Sequence, residues 1–288
     1  MSNPASHLPS LRTIGLTAVA MLAFAANSIL CRLALAHGAI DPASFTLVRI
    51  ASGVVTLWLI LALSGRARAV GGSWRAGFAL FAYAAAFSFA YITLSAGSGA
   101  LLLFGAVQAT MVTVGLARGE RLAALQWIGF VAALGGLAAL LAPGVSAPPI
   151  AGACLMLAAG VAWGAYSLFG RGATDPLSAT GGNFLRALPM AAAMLAAAAA
   201  FGLKGDPAGI VYAILSGAVA SGLGYSIWYA ALPGLSPAQG ASVQLSVPVI
   251  TAIAGALMIG ETITLRLALC SVAILGGIAL VIGSRPRT

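Results

Sequence analysis

Acidic residues are nearly missing from this chain: there are five in 288, Asp41, Glu120, Asp175, Asp206 and Glu261. Two histidines, His7 and His37, and three cysteines, Cys31, Cys154 and Cys270, are almost as scarce, and charged residues of both signs make up only 7%. Each shortage excludes something. A soluble domain coats itself with about a quarter charged residues, so this composition cannot make an ordinary water-facing exterior. An intramembrane enzyme would need a nucleophile with a base, or a metal cluster, and the histidines and acids all fall in loops or at the ends of apolar runs. Neither enzyme chemistry nor a metal is therefore expected, and no loop of nucleotide- or cofactor-binding type has room to exist. The cysteines sit inside apolar runs without C-x-x-C spacing and read as small packing residues.

Apolar residues dominate instead, at 61% of the chain, with a mean hydropathy of +1.05. A helix needs about 20 apolar residues to cross a hydrocarbon core roughly 30 Å thick. Ten such runs are present, near 12–36, 44–64, 74–95, 97–117, 123–142, 149–170, 178–202, 208–232, 237–259 and 264–284. The net charge of +9 would point to nucleic acid in a soluble protein. Here the cations fall on one face: Arg12, Arg66, Arg68, Arg75, Arg118, Arg121, Arg171, Arg285 and Arg287, against mainly Lys204 and Arg266 on the other. Cytoplasmic loops carry such an excess, so both termini are expected in the cytoplasm, with membrane lipid and no nucleic acid as partner. Arg12 followed by an apolar run reaching Ala23-Phe24-Ala25 resembles a cleavable signal, but the run continues to about Ala36 and nine more follow, so the first helix is expected to be retained.

The chain repeats itself. "GERLAALQWIGFVAALGG" at 119–136 is echoed by "GETITLRLALCSVAILGG" at 260–277, 141 positions on. "FAANSILCR" at 24–32 aligns with "WGAYSLFGR" at 163–171, and "FSFAYITLSAGS" at 87–98 with "YSIWYAALPGLS" at 225–236, at offsets of 139 and 138. The rarer residue types carry the match: Glu120 with Glu261, Arg32 with Arg171, Tyr91 with Tyr229. Two units of five helices follow, 1–145 and 146–288, joined by the proline-rich "APGVSAPP". Five is odd, so the second unit must enter the membrane from the opposite side. Inverted halves of this kind place a binding site between them near the midplane, opening to either side in turn.

Ten spans, two halves, a Trp-Gly and, after six intervening residues, an Arg at the head of the second half, and a Gly-Glu turn before the last helix of each half resemble the drug/metabolite transporter superfamily, in its EamA-type branch, across essentially the whole chain. Within that branch the chain is most similar to the YddG-type bacterial exporters of aromatic and other amino acids. The resemblance implies an all-α membrane protein of ten helices in two inverted repeats, set in the bacterial cytoplasmic membrane, that exports small metabolites without ATP. Amino acids are the leading substrate class, with drugs, other amphipathic solutes, or a passive channel-like route as alternatives; no obligatory protein partner is evident. Phe24-Ala25 departs from the usual Trp-Gly, and Val107 stands opposite Pro248 where both halves often carry Pro.

Polar and aromatic residues at helical spacing nominate the lining. Trp163, Tyr166 and Ser167 share a face of the sixth span, answered by Phe24, Asn27 and Ser28 on the first. Phe87 and Tyr91 on the third are answered by Tyr225 and Tyr229 on the eighth, with Gln108 on the fourth and Gln244 and Ser246 on the ninth. Aromatic faces with a few amides and hydroxyls suit a small solute with an apolar body and a polar head. The bland alternatives are interfacial aromatics and serines bonded to their own backbone. Pro189, Pro237 and Pro248 are hinge candidates, or simple helix ends. Gly160 and Gly164 read as a packing groove. Arg32, Arg49, Arg171 and Arg186 lie near span ends and read as interfacial anchors, with attraction of a carboxylate or phosphate as the alternative. Asp41 and Asp175, each before a proline, are expected to cap helices beside arginines. The lack of a carboxylate inside any span argues against proton-coupled antiport of organic cations, leaving movement down the solute's own gradient.

Overall fold

The computed structural model describes residues 9–66 and 70–283, and apart from one isolated bridge, Ile40 with Gly205, their regular structure is helical. His7, Arg68, Arg285 and Arg287 lie outside the described residues. The helices are α1 (Leu11–Leu35), α2 (Pro42–Leu63), α3 (Trp74–Ala90), α4 (Ala96–Ala117), α5 (Ala124–Leu141), α6 (Ile150–Phe169) and α7 (Pro176–Ala198), the last extended by a short 3-10 turn. Then follow α8 (Pro207–Gly234), α9 (Pro237–Ile259) and α10 (Leu265–Gly283).

Nine of these, among the described residues, are long and apolar enough to cross a membrane. The tenth, α3, has 17 residues, still within the range that spans. It stops at Ala90, short of the expected 95, because the chain turns at Tyr91 and Ile92 and Ser95 then caps α4, its Oγ accepting from the Ser98 N–H at 3.3 Å. Local sequence sets most other starts too. Ser10, Asp41, Ser73, Asp175 and Ser236 each accept a backbone N–H of the first turn, which satisfies donors that a helix cannot pair internally. Proline at the first helical position, where no N–H is missed, opens α2, α7, α8 and α9.

Two helices depart from regularity. Residues Ser216–Leu223 of α8 wind as π-helix, a form that tends to occur at functional sites. The α9 helix is interrupted at Leu245, three residues before Pro248, whose ring crowds the carbonyl of the residue four back and offers it no N–H. Of the other hinge candidates, Pro189 lies inside α7, and Pro237 occupies the first position of α9, where a proline only starts a helix.

Helices at equivalent places in the two halves pack on one another: α2 on α7, α4 on α9 and α5 on α10. The contact of α3 with α6 is answered by that of α8 with α1, and α4 on α6 by α9 on α1. The α4–α6 seam is tight because Gly160 and Gly164 bring backbones together. A Cβ on Gly160 would stand 2.5 Å from the Cβ of Ala106 and 2.8 Å from the Leu103 carbonyl oxygen. Lipid offers helices no hydrophobic gain for associating, so such close van der Waals contact carries the seam. Gly160→Val is expected to cost about 1–3 kcal/mol of stability, from overpacking, read as a lower melting temperature of the purified protein in detergent. An unchanged melting temperature would show that the seam yields.

Candidate functional site

Six helices, α1, α3, α4, α6, α8 and α9, converge on a central cavity of ≈ 40 Å³. Helix α1 supplies Phe24, Asn27 and Ser28, and α3 supplies Tyr83 and Phe87. Trp163 enters from α6, Tyr225 from α8 with Ala220 and Ser221 of its π-turn, Leu103 and Phe104 from α4, and Gln244 from the break in α9. The space holds about three waters. Any organic solute must therefore part this lining to enter. Wider grooves of ≈ 700 Å³ and ≈ 470 Å³ open on the flanks of the bundle, the first between α1 and α9, the second between α4, α5 and α6. Their walls are almost wholly apolar, whereas the small central cavity is where amides, hydroxyls and ring faces converge, which is the signature of a solute site.

Trp163 organises the aromatic wall. Its ring stacks on Tyr225, with centroids 5.6 Å apart and planes at 19°, and lies 4.7 Å from Tyr83 and 5.1 Å from Tyr166. Phe24 closes the opposite side against Tyr225 at 5.6 Å. A polar chain runs behind these rings. The Ser216 hydroxyl, at the start of the π-turn, donates to Asn27 Oδ1 at 2.7 Å. Asn27 Nδ2 donates to the Tyr83 hydroxyl at 3.3 Å, and Arg49 Nη2 donates to the same oxygen at 3.1 Å.

Of the twelve residues nominated from the sequence, Asn27, Ser28, Phe87, Trp163, Tyr225 and Gln244 line the cavity together. Tyr166 and Tyr229 stand just outside it, joined through Thr180: Tyr166 donates to Thr180 Oγ1 at 3.4 Å, and Thr180 and Tyr229 share a 2.9 Å bond. Tyr91 is fully buried beneath Phe87, with its hydroxyl on the Ala96 carbonyl. Ser167 donates to the Trp163 carbonyl, one turn back. Ser246 donates to the Val243 carbonyl and lines the α1–α9 flank groove. Gln108 faces a separate small cavity between α4, α5 and α10. Tyr83 went unnamed, although Tyr83, Phe87 and Tyr91 recur every fourth residue and so share one helix face.

Arg49 departs furthest from expectation. It is no interfacial anchor: about two turns inside α2, it is among the largest fully buried side chains, with its guanidinium carbon 5.2 Å from the Tyr83 ring centre and 5.1 Å from that of Phe87.

The loops at the two ends differ. Ten passes bring both ends of the chain to one side, the near end; the other is the far end. At the far end Arg32 Nε pairs with Glu261 Oε1 at 2.9 Å while Nη1 donates to the carbonyls of Tyr91 and Ile92, and Glu261 Oε2 accepts the Ala96 N–H at 2.8 Å. This knot ties the end of α1, the α3–α4 turn and the α9–α10 turn. Its counterpart at the near end is Arg171 with Glu120, and there both side chains are exposed and no ion pair joins them. From the helix caps onward the two halves run at the 141 offset of the Gly-Glu turns, three more than in the stretch before: Ser95 and Ser236 cap α4 and α9 alike, so Ala96 is answered by Pro237, and a proline has no N–H to give.

A second set of contacts is closed at both ends at once. At the far end Asp41 caps α2 through Ala43 and Ser44 and accepts the Lys204 N–H at 3.1 Å, beside the Ile40–Gly205 bridge. Burial works against ionising Asp41, but its hydrogen bonds with Ser44, Lys204 and Ala43 outweigh that and hold its carboxyl below the usual range. At the near end Asp175 caps α7 and pairs with Arg66 at 3.0 Å.

The EamA-like transporter family matches residues 150–283. The chain is 57% identical over 279 residues to the uncharacterized protein PA1977 of Pseudomonas aeruginosa, an alignment covering 96% of this chain and 97% of that one. A solved crystal structure, 18% identical, superposes with a TM-score of 0.64 over 95% of this chain and 98% of its own, which speaks to the fold alone.

Proposed function

The chain belongs to the EamA-like transporter family, and from that premise we propose that it carries small organic metabolites, amino acids foremost, out across the bacterial cytoplasmic membrane through the central cavity. The observation that bears most weight is the convergence of Trp163, Tyr225, Phe24 and Phe87 with Asn27 and Gln244 on one central cavity. Ring faces take an apolar side chain, and amides take a polar head.

On this reading residues 1–145 and 146–288 are inverted halves that rock about the cavity, and the basic loops of the near end lie in the cytoplasm. Contacts closed at both ends do not distinguish the two faces, whereas a contact closed at one end and open at the other does, so the second kind is read as the gate and the first as a brace. The α2–α7 seam, held by Asp41 with Lys204 and by Asp175 with Arg66, is a static brace. The Arg32–Glu261 knot, closed while its near-end counterpart is open, is the gate.

The brace has a direct check. Ile40 and Gly205 face each other between two backbone bonds, Asp41 N–H to Lys204 O at 3.0 Å and Asp206 N–H to Ala39 O at 2.7 Å. That is the close type of antiparallel pair, with Cα atoms about 4.5 Å apart, within reach of a disulfide. Ile40→Cys with Gly205→Cys, in a chain whose native cysteines are replaced, is expected to oxidise readily, raise the melting temperature and leave the transport rate within about twofold. A rate that collapses on oxidation and returns on reduction would make this seam a gate.

The function itself is tested by counterflow in liposomes containing the purified protein, using a panel of labelled amino acids and lipophilic amines, with and without a pH gradient. Accumulation of amino acids that ignores the gradient is the expected result. Movement of amines alone would reassign the substrate class, and a rate that follows the pH gradient would replace the gradient-free mechanism.

A further inference from the structure

A guanidinium within the membrane stays charged, and burying an unpaired charge is among the costliest acts in a fold. Arg49 is 2% exposed, and none of the five acidic residues lies within any of the ten helices. Its Nη2 reaches the Tyr83 hydroxyl, but Nε and Nη1, which carry three N–H groups between them, have no hydrogen-bond partner. The two rings that flank it, Tyr83 and Phe87, are themselves part of the cavity wall. The π electrons of those rings offset part of the charge but accept no conventional hydrogen bond at the free N–H groups. An interior cation with vacant donors, one ring's thickness from a solute cavity, lacks its counter-ion, and the solute is the component still to arrive.

We propose that Arg49 is the receptor for a singly charged carboxylate on the transported solute, with the Tyr83 hydroxyl as its second donor and the Trp163, Tyr225 and Phe24 rings holding the solute's apolar body. This deepens the transport reading above and rests on it. One guanidinium balances one negative charge, so a carboxylate fits better than a dianionic phosphate. The same positive charge disfavours a solute whose only charge is positive, which separates amino acids and other carboxylates with an apolar body from amine drugs.

The test is binding, measured apart from transport, as ligand-dependent thermal stabilisation of the detergent-purified full chain. Four probes share one ring: phenylalanine, 3-phenylpropionate, phenylethylamine and phenyl phosphate. Phenylalanine and phenylpropionate are expected to bind, with the amine and the phosphate at least about tenfold weaker. Arg49→Gln should weaken both carboxylates by about 30-fold or more without weakening the amine, and Arg49→Lys should restore part of the loss. Arg49→Met removes the buried charge while keeping the length. Its ligand-free form should melt no lower than the parent and should lose the response to carboxylates, an outcome that a purely structural arginine would not give. The proposal is overturned if the amine stabilises the parent as well as the carboxylates do, if phenyl phosphate binds best, if neither carboxylate binds, or if Arg49→Gln binds them unchanged. Carboxylate binding that depends on Arg49, without counterflow, would sink only the transport reading; amino-acid counterflow with no effect at Arg49 would sink only this inference.

Discussion

Tethering positions 32 and 261 across the far end is expected to bring solute counterflow down to the level of protein-free liposomes. The variant carries Arg32→Cys and Glu261→Cys with the native cysteines replaced, and a short bifunctional maleimide makes the tether. The 2.9 Å ion pair, two bonds from Arg32 to the α3–α4 turn, and the Ala96 N–H on Glu261 all meet at this point, so it joins α1, α4 and α9. If the two halves must separate there to release solute, a covalent tether removes one of the two states the cycle needs. The same variant without the linker should still transport. Glu261→Gln is the milder form: it removes one hydrogen bond's charge at each of two contacts, which is enough to raise the far-end-open population about tenfold. That shift can be read as faster labelling of a cysteine placed at Ser221 by a membrane-impermeant thiol reagent. Undiminished counterflow in the tethered protein would move the gate elsewhere.

The second large effect concerns Trp163. Truncation to Ala removes the ring that stacks on Tyr225 and touches Tyr83 and Tyr166. Aromatic anchors of a binding site typically cost 2 kcal/mol or more when cut back, so transport should fall by about 30-fold. Trp163 is only half buried, so the folded yield should hold, and Trp163→Phe, which keeps a ring face, should retain most of the rate. Gel-filtration profiles of the variants separate misfolding from loss of binding. Equal rates for the parent and the Ala variant would reduce Trp163 to packing.

The bundle was legible in the sequence because lipid imposes a coarse code: length, apolarity and the placement of arginines decide where helices lie. Half of the cavity was legible for a similar reason, since Asn27, Ser28, Trp163 and Tyr225 break an apolar background at helical spacing. Gln108 and Ser246 met the same criterion but face other spaces, because polarity in a span says that a side chain avoids lipid without saying which interior gap it faces. Arg49 misled for a different reason. Its distance from the helix start is as compatible with reaching the interface as with burial, and what decides is the pair of rings from α3 that flank it, a tertiary fact. The π-turn of α8 carries no local signature in "SGAVASGL". What accompanies it is tertiary: Gly217 lies against the Arg49 backbone carbonyl and Ser216 reaches Asn27.

One proline sets the molecule's handedness in time. Glu261 finds a backbone donor at Ala96 besides Arg32, but the matching glutamate, Glu120, would find Pro237 without an N–H and be left with Arg171 alone. Two otherwise mirrored latches are thus unequally strong, and on the orientation proposed above an empty carrier should idle with its mouth toward the cytosol. Such a bias cannot choose the direction of net flow, which the concentrations on either side dictate. It decides where a scarce solute is picked up first: on that orientation the cytosolic side loads at lower concentration.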